Sequence, residues 1–94
     1  MTASRVVKVI NAAGLHARPC HAIVSTALEF GCSLRIRNAD AKGAGNGVNG
    51  KSILELMTLE ASVGTSLEFR AEGEGQDELV NRLASLVERG FGEP

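Results

Sequence analysis

The chain has 94 residues, 44% hydrophobic and 22% charged, with a net charge of −1. Those values fit one globular domain over 1–94 and exclude a broadly basic surface for nucleic acid. No apolar run approaches the length of a membrane span, and the first residues lack the apolar core of a secretory signal. A cytoplasmic protein without nucleic-acid or membrane partners is expected, with Cys20 and Cys32 as reduced thiols.

In chain order, Arg5–Ile10 is rich in β-branched residues and predicts a strand. From Ala17 to about Phe30, the apolar positions Cys20, Ile23, Val24, Ala27 and Phe30 recur at three- and four-residue steps, the mark of an amphipathic helix stopped by Gly31. Cys32–Arg37 alternates, with Cys32, Leu34 and Ile36 on one face and Ser33, Arg35 and Arg37 on the other. Asn38–Gly50 is glycine-rich, contains the steps Asn46-Gly47 and Asn49-Gly50, and predicts a long hairpin connection with a short strand around Val48.

Ser52 with Glu55 three residues later forms a capping box and predicts a short helix to about Leu59. Ser66–Glu72 alternates with Leu67, Phe69 and Ala71 inward. A last helix is predicted from about Gln76 to Arg89, with Leu79, Val80, Leu83, Leu86 and Val87 on its apolar face, Gly90 as its stop and a loose tail after it. The order β-α-β-β-α-β-α, with strands that keep one polar face, predicts an α+β fold: a two-layer sandwich of a mainly antiparallel sheet with helices on one side.

The stretch Asn11–His21, "NAAGLHARPCH", stands apart because it opens a helix with cationic side chains and no carboxylate. A first helical turn leaves backbone N–H groups without partners, and the aligned peptide dipoles make that end positive. Pro19 suits a first turn because it has no N–H to orphan. Free N–H donors and the Arg18 guanidinium would form a place for a phosphate, sulfate or carboxylate. His16 would sit at its lip, where a neutral imidazole is a nucleophile. The plain alternative is a loop and a weakly capped helix. No second acid or base is apparent near His16, so an autonomous enzyme is not expected.

The segment "GLHARP" resembles the active-site motif of the histidine-containing phosphocarriers, the HPr family of the bacterial sugar phosphotransferase system. "GKSILELMTLEA" at 50–61 resembles the family segment that holds a regulatory serine, and the likeness runs from about Val6 to Val87. The resemblance implies an open-faced sandwich of four antiparallel strands with three helices on one face. It implies that His16 accepts a phosphoryl group on Nδ1 from phosphorylated enzyme I, with phosphoenolpyruvate the ultimate donor, and passes it to an enzyme IIA component or domain. Arg18 and the backbone N–H groups of Ala17 and Arg18 would stabilise the phosphate. Ser52 falls on the regulatory serine, the target of an HPr kinase/phosphorylase. Its phosphorylation could also govern a regulator, so a mainly regulatory interaction module without sugar transport is the alternative function. Either way a monomer is expected.

The helix after Ser52 carries more apolar residues than one face can hold. Leu56 and Leu59 suit the core, which leaves Ile53, Leu54 and Met57 either toward solvent as a docking patch, the use the family resemblance implies, or buried under the long hairpin. The chain departs from the family pattern in Cys20, in His21 and in its longer glycine-rich hairpin. His16, Cys20 and His21 could suggest a metal site, but Cys20 fits the apolar stripe. Neither a metal nor a cofactor is expected.

Overall fold

The structure, a computed structural model, describes residues 2–43 and 45–93. Strand β1 (Thr2–Lys8) is followed by helix α1 (Ala17–Ala27), β2 (Ser33–Asn38), β3 (Val48–Asn49), α2 (Ile53–Met57), β4 (Ser66–Glu72) and α3 (Gln76–Glu88). A short 3-10 turn, Gly90–Gly92, follows α3 and leads to Glu93. The strands form one sheet in the order β1-β4-β2-β3, and every neighbouring pair is antiparallel.

Strand β4 lies between two partners, so Phe69 pairs with Arg5 on one side and Ile36 on the other. Its alternation puts Leu67, Phe69 and Ala71 on the covered face, all fully buried. Ala3, Val7, Leu34 and Ile36 join them from the flanking strands. Cys20, Ile23, Val24 and Ala27 of α1, Leu56 of α2, and Leu79, Val80, Leu83, Ala84 and Val87 of α3 close the core. Cys20 and Cys32 are both free and buried.

Several element boundaries differ from the sequence reading, among them α2, which ends at Met57 rather than Leu59. The first strand begins earlier and ends before Val9, because the whole of Thr2–Lys8 finds partners along Ser66–Glu72. Ile10, read as part of that strand, lies beyond it and is mostly exposed. Helix α1 ends at Ala27 rather than Phe30. There the bonding switches to i→i−3, with Glu29 N–H donating to Thr26 and Phe30 N–H to Ala27, the tightening common in a last turn. The hairpin after β2 closes on Gly47, whose φ is +76° and whose position would bring a Cβ within 2.2 Å of the Ile36 carbonyl oxygen.

Helix α2 runs against α1 in the opposite direction. At one end, Lys51 Nζ donates to the Phe30 carbonyl, 2.9 Å away, beyond the C-terminus of α1. At the other, Leu15 N–H donates to the Ala61 carbonyl, also 2.9 Å, before the N-terminus of α1. The start of α2 therefore lies about one α1 length from His16, roughly 16 Å for eleven helical residues.

Candidate phosphoryl-acceptor site

The site is set by a turn and a glycine. Gly14 N–H donates to the Asn11 carbonyl at 3.0 Å, folding the loop after β1 back on itself. Gly14 has φ +68°, and a Cβ there would lie 2.6 Å from the Ala61 carbonyl oxygen. Only glycine meets both demands. The next residue, Leu15, is buried and bonded to that same carbonyl, so His16 leaves a fixed anchor to become the N-cap of α1.

His16 has extended backbone angles and no capping bond from its side chain, and the first turn of α1 holds no acidic residue. The Cys20 N–H reaches the His16 carbonyl at 3.1 Å. Ahead of it, the Ala17 and Arg18 N–H groups have no partner among the described residues, and Pro19 has no N–H. Pro19 is buried, while Ala17 and Arg18 are exposed. The Arg18 guanidinium makes no hydrogen bond among the described residues, so it stands available at the mouth.

Among the described residues the site holds one carboxylate, and it comes from the far end of the chain. Glu93 Oε2 lies 2.7 Å from His16 Nε2, and Glu93 Oε1 accepts from Asn11 Nδ2 at 2.9 Å. The Glu93 side chain is only 15% exposed and that of His16 40% exposed. Burial pushes the Glu93 carboxyl up, but the hydrogen bonds from Asn11 and His16 and the charges of His16 and Arg18 outweigh it, leaving it below the ordinary glutamate value.

Asn11 is the second brace. It is buried, and its Nδ2 donates to the Gly14 carbonyl at 2.8 Å as well as to Glu93. Two oxygens facing that atom fix the amide orientation. Its Oδ1 is buried and has no partner among the described residues.

This arrangement corrects two sequence expectations. The tail after Gly90 is not loose at Glu93, and an acid does stand beside His16. No local pattern pairs residues 77 positions apart. Gly90 could have been read as more than a stop: with Phe91 and Gly92 it makes three successive left-handed residues that turn the chain, and a Cβ placed on it would touch the side chains of Ile10 and Asn11.

The proposed docking residues divide. Leu54 is 82% exposed and Met57 47% exposed, whereas Ile53 is half-buried and packed on the core, contrary to its expected solvent position. Ser52 caps α2, its Oγ accepting from Glu55 N–H at 3.2 Å. The capping box is only half made, because the Glu55 carboxylate accepts from Asn49 N–H instead of Ser52 N–H. Cys20 is wholly buried, its thiol turned to the Leu15 carbonyl and its pKa raised by burial. His21 points outward as an exposed residue of α1. Among the described residues, no three metal-ligating side chains cluster.

Residues 3–89 match the family described as the PTS HPr component phosphorylation site. The chain belongs to the HPr family. It is 39% identical to the phosphocarrier protein HPr of Pseudomonas aeruginosa, over 93% of this chain and 92% of that one. It is 36% identical to HPr of Neisseria meningitidis serogroup A, with 93% and 92% covered. An HPr crystal structure from Thermoanaerobacter tengcongensis superposes with a TM-score of 0.85 at 34% identity, covering 98% of each chain. The family-model match ends at residue 89, ahead of Glu93. Among the described residues, no helix is long and apolar enough to cross a membrane.

Proposed function

We propose that this HPr-family chain is a monomeric cytoplasmic phosphocarrier that takes a phosphoryl group on His16 from phosphorylated enzyme I and passes it to an enzyme IIA component or domain. The observation that carries this reading is the start of α1. A nucleophilic imidazole meets two N–H donors and a guanidinium that have no hydrogen-bond partner among the described residues, where the helix has no acid of its own. A phosphoryl group on the ring would bring the negative charge those donors lack.

Leu54 and Met57 support a docking role because they stay exposed on a helix packed against α1. Ser52, in this reading, is a regulatory phosphosite for an HPr kinase/phosphorylase. At about one helix length from His16 it acts on the docking surface and not on the histidine. Phosphate there would replace the hydroxyl as cap of a helix start, which favours negative charge. The test is transfer of one acid-labile phosphoryl group from phosphoenolpyruvate and enzyme I to the wild-type chain, with none to His16→Ala.

A further inference from the structure

The Glu93 carboxylate touches the ring of His16, the residue at the centre of the proposed chemistry, from beyond the last residue that the family model matches. A carboxylate can only accept a hydrogen bond, so the 2.7 Å contact places a proton on Nε2. In a neutral imidazole the other nitrogen then carries the lone pair. Glu93 is itself held by Asn11, and the tail that delivers it is bent through three successive left-handed residues, one of them Phe91 at φ +57°. A bulky residue is strained in that region and persists there only where surrounding contacts over-determine it.

We propose that Glu93 is a positioning residue for phosphoryl transfer: it fixes the Nε2–H tautomer of His16 and so directs the Nδ1 lone pair at phosphorus. This rests on the reading of His16 as the acceptor. The donor is an N-phosphorylated histidine of a partner protein, its ring protonated on the other nitrogen. The Nδ1 lone pair forms the new N–P bond while the donor's N–P bond breaks, and that electron pair returns to the donor ring, which leaves neutral. His16 becomes a phosphoimidazolium that keeps its Nε2 proton. Glu93 faces the positive charge that develops on the ring, as the buried carboxylate does behind the histidine of a Ser-His-Asp triad. The phosphoryl oxygens face the N–H groups of Ala17 and Arg18 and the Arg18 guanidinium. No proton has to be found or lost in the step.

The experiment uses the full ¹⁵N-labelled chain, wild type and Glu93→Ala. Ring-nitrogen shifts report the tautomer, and single-turnover uptake from phosphorylated enzyme I reports the chemistry. The wild type is expected to show Nε2 protonated and Nδ1 bare once the His16 ring is neutral. Glu93→Ala is expected to show a tautomer mixture at His16, unchanged signals at exposed His21, a still cooperative unfolding transition and about tenfold slower uptake, the scale on which an orienting carboxylate acts on a histidine. An unchanged tautomer, or uptake as fast as or faster than wild type, overturns the proposal and leaves the carrier reading standing. No uptake by the wild type, while a relative such as the Pseudomonas aeruginosa HPr is phosphorylated by the same enzyme I, overturns the carrier reading itself.

Discussion

His16 Nε2 and Glu93 Oε2 stand 2.7 Å apart across 77 positions of sequence. Asn11 ties the same carboxylate to the turn that precedes His16. The tail and the first loop thus form one polar unit at the start of α1.

That unit has a pH signature. Burial alone would raise the Glu93 carboxyl, but Asn11, His16 and Arg18 together hold it below its ordinary value. A carboxyl depressed in the native state adds stability above its unfolded pKa and loses it as pH falls through the native one. The tail is therefore expected to stay docked through the ordinary glutamate range and to release only at lower pH. Following the Gly92 amide by NMR during acidification checks this; release beginning above the ordinary glutamate value contradicts it.

Gly14→Ala tests the anchor beneath His16. The substitution meets both a left-handed φ and the Ala61 carbonyl oxygen. The expected loss is about 2–3 kcal/mol, a fall in Tm of roughly 10–20 °C for a domain of this size. Calorimetry measures it. Gly64→Ala is the useful contrast, because a Cβ there meets no atom within 4 Å although its φ is also positive; its loss should be smaller.

Neighbouring leucines of α2 should behave oppositely. Leu56 is fully buried, so Leu56→Ala is expected to cost about 2–5 kcal/mol. Leu54 is 82% exposed, so Leu54→Ser should change stability by no more than about 0.5 kcal/mol. If the exposed face docks partners, Leu54→Ser weakens enzyme I binding about tenfold while leaving Tm unchanged, the 1.4 kcal/mol of one lost apolar contact. Titration calorimetry separates the two effects.

Ser52→Ala removes the bond from Glu55 N–H and should cost about 1 kcal/mol, as a lost N-cap does. Ser52→Asp keeps an acceptor there and should unfold close to wild type. Thermal melts of the pair decide whether Ser52 earns its place as a cap. Mass analysis after incubation with an HPr kinase/phosphorylase and ATP decides whether it is also a phosphosite.

Local signals made much of this molecule legible. The alternation of Ser66–Glu72 marks the central strand to the residue, because each of its two faces meets one kind of environment. The three- and four-residue spacing of Cys20, Ile23, Val24 and Ala27 marks the buried stripe of α1. The motif around His16 exposes a helix start without an acid, and that is how α1 begins. Strand ends are less legible, since β1 takes its limits from β4, a partner some sixty residues away. Ile53 looked exposed because a five-residue helix has too few turns to establish a face. Glu93 was beyond local reading altogether: its meaning depends on where α3 ends and how the left-handed turn returns the chain to Asn11.

The central claim is that His16 carries the phosphoryl group. Intact-mass measurement after incubation with phosphoenolpyruvate and enzyme I tests it most directly. The account predicts one added phosphate on the wild type, lost on brief acid treatment and absent from His16→Ala. An acid-stable adduct, or the same adduct on His16→Ala, would contradict it.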